Sequence, residues 1–386
     1  MNYDFIIYGG GMSSQIAALA LAKDNFRVCF IENPTIKKSD SNLVTFLSQG
    51  SVNYLYSIID DPNEFNQFAN IEKITCKLAN INKDSSIIFD NEINSVLGKI
   101  LPNNIIKDTL NSCIKKNKNI ETLIKTKSIQ KKMDSKKLSI IVDEQKEIFA
   151  SALLLSVNDQ NLLDYEKIKF ISHDLHQTAL SMNVVGEFRK QNQAFQIFTT
   201  SGPLAFLPYS NNHASLVWSL KDDSKELHYE KNDLANQINH YFEKDIGTLK
   251  IENIETHKLN FNYAKKLYDK NTVIIGNIAH NIHPIAGQGL NLSIKDISLF
   301  LEIVSKYKSI GYEVNNSMAF KEFDQHRKID NAAYSFGTLA LDKFLSSKNS
   351  LVSKFANMGI KILEKNNFVK RKIVESATGA EHFKSL

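Results

Sequence analysis

GNIAHNIHPIAGQGLNLSIKD, running from Gly276 to Asp296, follows an apolar strand-like stretch, Thr272 to Ile275, and passes into a helix that begins near Leu290. Gly276 allows a sharp turn off the strand, and Pro284 fixes a second turn. Gly287 and Gly289 leave out side chains where backbone must approach a ligand closely. The first N–H groups of the helix, around Leu290 and Asn291, have no partner inside it and carry the positive end of its dipole. Such a start favours a ligand that becomes anionic beside it. A reduced flavin, which gains negative charge at its N1 and C2 carbonyl edge, is a ligand of that kind.

The amino-terminal end carries the complementary signal. Asp4-Phe5-Ile6-Ile7-Tyr8 has the pattern of a buried parallel strand, Gly9-Gly10-Gly11-Met12-Ser13-Ser14 of a turn, and Ile16 to Ala22 of an Ala/Leu-rich helix. A second strand, Arg27 to Ile31, ends at Glu32, at about the spacing where a carboxylate takes the ribose hydroxyls of an adenine dinucleotide. Gly9, Gly11, Ser14 and Glu32 are the candidate contacts at this end. A fingerprint alone serves FAD or NAD, but paired with the distal Gly276 segment it points to FAD.

Together the two segments resemble the single-component flavoprotein aromatic hydroxylases of the para-hydroxybenzoate hydroxylase type. The Gly276–Asp296 stretch is similar to the branch that hydroxylates polyprenyl phenols in ubiquinone biosynthesis; many relatives outside that branch carry Asp where this chain has Asn277. Ser201 to Pro208, then Ser215-Leu216-Val217-Trp218, resemble the central sheet of the same branch. The resemblance implies an α/β fold in which a Rossmann-like FAD-binding domain is interleaved with a mostly antiparallel substrate sheet, followed by carboxyl-terminal helices. It further implies an FAD-dependent monooxygenase that forms a flavin C4a-hydroperoxide and passes its distal oxygen to an electron-rich ring. The expected partners are a hydrophobic prenylated phenol, molecular oxygen, and NAD(P)H or an electron-carrier protein as reductant. Other ubiquinone-biosynthesis proteins and a homo-oligomer are compatible with it. Asn277 is a candidate for the ribityl or pyrophosphate region, and Leu204, Phe206 and Pro208 for apolar walls that keep water from the substrate pocket. No residue stands out as a general base.

The chain also departs from that pattern. Ser14 replaces the third glycine of the fingerprint, a small change that still allows close helix–strand packing. Near Asn42-Leu43 and Asn103-Asn104 relatives usually offer an arginine to the cofactor, and this chain offers none. Ser156-Val157-Asn158-Asp159 stands where relatives carry Ala-Asp-Gly. Losing one charge-assisted hydrogen bond weakens binding by about 1.5–3 kcal/mol, so loosely held FAD is expected. The altered dinucleotide end also keeps open a weakly flavin-binding scaffold subunit of a ubiquinone-synthesis complex.

Composition narrows the classes. With 386 residues the chain can bury a sizeable core, and its 42% hydrophobic content is that of a globular protein. The net charge of +5 comes almost wholly from lysine, arginine occurring only at Arg27, Arg189, Arg327 and Arg371, which speaks against a nucleic-acid reader built on bidentate arginine contacts. Cys29, Cys76 and Cys113 stand far apart and form no disulfide framework, as suits a reducing cytoplasm. The amino terminus enters a strand at once, and no apolar run approaches the roughly 18 residues of a membrane span. A cytoplasmic protein is expected, with any membrane contact peripheral. His280 and His283 are three apart but have no converging third ligand, so no metal is expected and hydrogen bonding is the favoured role for them. No G-x-S-x-G elbow supports a hydrolase.

Helices are expected over Ser48 to Ile59 and Leu101 to Lys115, strands of a separate sheet over Ile71 to Ile88, and a meander from Ile120 to Ser156 returning to the nucleotide domain. Thr178–Phe188, Ala194–Phe198 and Leu216–Trp218, with a hairpin turn at Asn211-Asn212, make the expected substrate sheet. The expected domains are residues 1–69, 99–164 and 271–330 for FAD, 70–98 and 165–270 for substrate, and 331–386 as a helical region. In the last of these Phe336, Leu339, Phe344, Leu351, Phe355, Met358 and Ile362 recur at near-helical intervals with lysines between them. That face packs on the body or another subunit, or meets anionic lipid.

Overall fold

A computed structural model of the chain describes residues 2–33, 43–79, 86–90, 96–124, 129–134, 137–144, 146–281 and 289–345. Its helices are α1 (Met12–Lys23), α2 (Gln49–Ile58), α3 (Asn103–Lys116), α4 (Gln160–Tyr165), α5 (Lys231–Phe242), α6 (Gly289–Ser309) and α7 (Ser317–Leu345).

Phe5, Ile6, Ile7 and Tyr8 are wholly buried, as a strand covered on both faces must be. Their strand, Asn2–Gly9, lies between Val28–Glu32 and Lys146–Leu155 and runs parallel to both; Ile120–Ile124 and Thr272–Ile274 extend the parallel core on either side. The meander arrives as expected: Ile129–Asp134 and Lys137–Val142 pair antiparallel and join the first half of Lys146–Leu155. Ala17, Ala18, Ala20 and Ala22 are all buried in α1, and their small side chains let that helix lie close to the sheet. The helix also takes in Met12, Ser13 and Ser14, which the glycine-rich pattern assigns to the turn. Gly11 sits at its amino-terminal boundary, and the Ser14 hydroxyl donates to the Gly11 carbonyl at 2.7 Å.

The larger sheet is antiparallel apart from one parallel pair, Gln193–Phe198 with Lys73–Leu78. Its two longest strands, Phe170–Gly186 and Leu249–Ala264, pair with each other near one end of the strand order, and the second is an element that the expected strands do not include. Lys73–Leu78 and Ser86–Asp90 complete one edge, so the strands expected within Ile71 to Ile88 belong to this sheet. His280–Asn281 pairs with Leu249–Ala264 and closes the other edge, carrying the chain from the parallel sheet back to the antiparallel one. A third, small sheet joins Val44–Ser48, Gly98–Pro102 and Asn70–Ile71. Leu101 and Pro102, expected to begin a helix, end a strand in it, and α3 starts at Asn103.

The helix expected from Asp330 is the second half of α7, which begins at Ser317; Phe336 on it packs against the rings of Phe261 and Tyr263 at 5.6 and 5.5 Å. Leu351, Phe355, Met358 and Ile362 lie outside the described residues. No helix among the described residues is long and apolar enough to cross a membrane.

Candidate cofactor and substrate site

A cavity of about 1250 Å³ lies between the two larger sheets. One end is the fingerprint turn, Gly11 to Ser13, with Asn33 beyond the second strand; Asn103 and Lys107 of α3 and the segment Ser156 to Asn158 flank it. The other end is the antiparallel sheet, represented by Phe170 to Asp174 and Asn260 to Asn262. Between them stand Asn277, Ile278, His280 and the first residues of α6, Gly289 and Leu290.

The glycines divide into two kinds. A Cβ on Gly9 would stand 2.1 Å from the Ser156 hydroxyl, and one on Gly276, at φ +77°, would stand 2.8 Å from the Ser13 Cβ. These two are required by packing beneath the cavity. By contrast, among the described residues a Cβ on Gly11 would meet nothing within 4 Å, and one on Gly289 only the Asn277 side chain at 3.7 Å. Both border the cavity, so their missing side chains leave room for a ligand. Gly276→Ala should therefore destabilise the protein by about 1–3 kcal/mol, through a left-handed backbone and a close contact, whether or not a ligand is bound. A urea midpoint equal to that of the unaltered protein would refute this.

Of the residues singled out from sequence, Gly11, Asn277, Gly289 and Leu290 border the cavity together. Gly9, Ser14 and Gly276 support it from behind. Glu32 ends its strand one residue before Asn33, which lines the cavity, but the Glu32 side chain is not among the walls. Asn291 faces elsewhere: its side chain accepts from the Ser48 backbone N–H at 2.8 Å and donates to the Phe46 carbonyl at 2.8 Å. It clamps α6 to the small sheet. Pro284 and Gly287 lie outside the described residues.

The apolar stretch proposed as a substrate wall is placed differently. Leu204 and Phe206 are wholly buried on the side of their strand that faces α5, Phe206 lying 5.7 Å from the Phe242 ring. Ala205 and Leu207 point the other way, into a cluster with Phe46 and Ile100. Pro208 ends the strand, buried, opposite Ala214. None of the three lines the cavity. Leu204 and Phe206 form a core with α5, and the phenylalanines that border the cavity among the described residues are Phe170 and Phe261, with His173 stacked 6.4 Å from Phe261. Polar groups surround them: Ser172 donates to the Asn262 side chain at 2.6 Å, and Asn262 in turn to the Ile278 carbonyl at 3.3 Å.

The Ser156–Asp159 segment remains at the dinucleotide end despite its altered sequence. Asp159 caps α4 by accepting from the Leu162 N–H at 3.3 Å, and its other oxygen accepts from the Tyr8 hydroxyl at 3.3 Å. Burial, together with that carboxylate, pushes the Tyr8 phenol well above its ordinary range and keeps it a neutral donor. The Ser156 hydroxyl has no hydrogen-bond partner among the described residues. A buried orphan donor beside an open fingerprint turn fits a polar ligand there.

His280 has the acidic partner that sequence proximity did not reveal. Asp296, inside the same quoted stretch but two turns along α6, accepts from His280 Nε2 at 2.5 Å and from Arg327 Nε of α7 at 2.5 Å. Asn331 donates to the same carboxylate at 3.3 Å and accepts from Arg327 at 2.8 Å. All four side chains are buried. Burial pushes the Asp296 carboxyl up, but His280 and Arg327 outweigh it and hold it below the usual carboxylate range. The network ties the edge strand of the antiparallel sheet, the helix at the glycine turn and α7 into one unit.

A family model described as FAD binding domain matches residues 164–307. Ubiquinone biosynthesis monooxygenase COQ6 of Dictyostelium discoideum is 22% identical, with 98% of this chain and 91% of that protein covered. The 3-demethoxyubiquinol 3-hydroxylase of Escherichia coli is 23% identical, with 97% and 98% covered. Among solved structures, p-nitrophenol 4-monooxygenase from Pseudomonas putida superposes with a TM-score of 0.76 at 12% identity, covering 97% of each chain. The flavin-dependent brominase Bmp2 gives 0.71 at 11% identity, covering 98% of this chain and 94% of that one. The family resemblance, the fold class and the FAD expectation drawn from sequence are borne out. A fold shared by a hydroxylase and a brominase does not by itself choose the reaction.

Proposed function

We propose that this chain is an FAD-dependent monooxygenase that hydroxylates the aromatic ring of a polyprenyl phenol in ubiquinone biosynthesis. The observation that carries the reading is the single cavity that runs from the fingerprint turn, past the glycine-opened start of α6, to the aromatic and amide groups of the antiparallel sheet. The full-length likeness to ubiquinone-biosynthesis hydroxylases supports the substrate class. When bound, FAD supplies the redox chemistry by which one oxygen atom reaches the ring and the other leaves as water.

The protein's share is placement. We assign FAD to the parallel-sheet side and the phenol to the antiparallel side. Gly11 and Gly289 admit the cofactor backbone-close, and the start of α6 supplies a positive dipole end where the reduced ring becomes anionic. Phe170 and Phe261 offer faces for an aromatic ring, and the Ser172, Asn260 and Asn262 side chains offer partners for its oxygen substituents. Contact with the membrane surface that holds such a greasy substrate belongs to the same reading.

Purified protein reconstituted with FAD should show a bound-flavin spectrum, and under labelled dioxygen it should place one labelled oxygen on a prenylated phenol. NAD(P)H and a reduced carrier protein are the two donors to compare. Rapid turnover of a small charged aromatic acid with no response to a prenylated phenol would overturn the substrate class. Absence of FAD binding at millimolar concentration would instead favour the scaffold subunit.

A further inference from the structure

The dinucleotide end of the cavity lacks the arginine that the sequence comparison led one to expect at Asn103 or Asn104, yet one cation does stand there. We propose that Lys107 is this chain's contact for the diphosphate of FAD, doing from one helical turn further on what an arginine at the start of α3 would do. The proposal rests on the FAD reading above.

Asn103 and Lys107 are four apart, so they share a face of α3, and both border the cavity. Side chains in a helix lean toward its amino terminus. A four-carbon stem at position 107 therefore reaches back over the first turn, toward the place an arginine at the helix start would occupy. Lys107 is the only lysine or arginine among the described residues that line the cavity. It makes no hydrogen bond or ion pair with any described residue, whereas Lys131, Lys77 and Lys190 are all paired with carboxylates. It is half-buried. A lysine whose stem is half-buried against the cavity wall, with no described anion beside it, can offer its ammonium to an anionic ligand in the cavity.

The fingerprint turn, which α3 flanks, is suited to the same ligand. α1 begins at Met12 with Gly11 before it and no side chain capping its first N–H groups. The Ser156 hydroxyl nearby is buried and has no partner among the described residues. Asn103 is less available, since its side-chain oxygen already accepts from the Thr45 hydroxyl at 2.6 Å. A diphosphate is the part of FAD that needs a cation and free N–H donors together.

The test is equilibrium titration of the full-length apoprotein with FAD and with riboflavin, followed by flavin fluorescence, and with ADP by competition. Lys107→Ala should weaken FAD and ADP by roughly tenfold or more and leave riboflavin unchanged, because riboflavin carries no phosphate. Lys107→Arg should keep FAD affinity. The salt dependence of FAD binding should be shallower in Lys107→Ala than in the unaltered protein. Equal FAD affinity in the two proteins, or an equal loss for riboflavin and FAD, would overturn the assignment. A raised requirement for NAD(P)H with FAD binding unchanged would also overturn it, placing the lysine at the reductant instead. Failure of the unaltered chain to bind FAD at all would overturn the flavin reading itself and this proposal with it.

Discussion

Gly289→Val should leave the protein folded and strip it of its flavin. The expected loss in FAD affinity is at least about 100-fold, equivalent to roughly 3 kcal/mol, since a branched side chain would occupy space the ligand needs. The folding cost should be small. Among the described residues a Cβ at this position meets only the Asn277 side chain, at ordinary contact distance of 3.7 Å, and glycine is a weaker helix former than valine. The contrast with Gly276 makes the test sharp, because there the backbone is left-handed and the Ser13 side chain is in the way. One substitution should lower affinity without stability, the other stability first. Thermal melts of the apoproteins and FAD titrations on the same samples separate the two effects. Full flavin occupancy in Gly289→Val would show that the ring does not lie against the start of α6.

What could be read from sequence, and what could not, follows the physics of each segment. The Asn2–Gly9 strand, the fingerprint turn and the Gly276 turn were legible because glycine and continuous apolar runs report constraints local to a few residues. The face of Pro203–Pro208 was not. Leu204, Ala205, Phe206 and Leu207 are apolar on both sides, and both sides are buried, so alternation gave no direction and Leu204 and Phe206 were assigned to a pocket they do not touch. The long strand Leu249–Ala264 was hidden by its own irregularity: Ile251 and Ile254 stand three apart because the ladder with Phe170–Gly186 shifts register near Asn183. Asn291 sits in the most informative motif of the chain, yet its amide serves the backbone of Phe46 and Ser48. Such a contact spans more than two hundred residues and leaves no local trace. Lys107 was one lysine among many until the fold placed it on the cavity wall. Its position one turn beyond the expected arginine is the signal the sequence offers, through the reach of a helical lysine toward the start of its helix.

The buried network around Asp296 carries the other large effect, on stability and its dependence on pH. Asp296→Ala should cost about 3–5 kcal/mol, because buried Arg327 would lose the carboxylate at its Nε and keep only the partly exposed Asp330 as an acidic partner among the described residues. Asp296→Asn should cost less, since its amide oxygen can still accept from one of the two donors. The acid limb identifies the carboxylate as the cause. Its pKa in the folded protein lies below the ordinary value of about 3.9, against burial and by virtue of His280 and Arg327. A depressed carboxylate binds fewer protons folded than unfolded at intermediate pH, so the stability it contributes is fully present above about pH 4 and is lost as pH falls through the folded value. The difference in unfolding free energy between the unaltered protein and Asp296→Asn should therefore be widest near neutrality and shrink below about pH 4. Urea unfolding of both proteins across that range measures it. A gap that stays constant into the acid range would mean that shape and hydrogen bonding, and not the charge on Asp296, hold the edge strand, α6 and α7 together. In that case flavin binding should also be insensitive to the substitution. If the charge is what holds them, loosening α6 in Asp296→Asn should weaken FAD at pH 7 as well, because the helix start at Gly289 is anchored two turns away by that carboxylate.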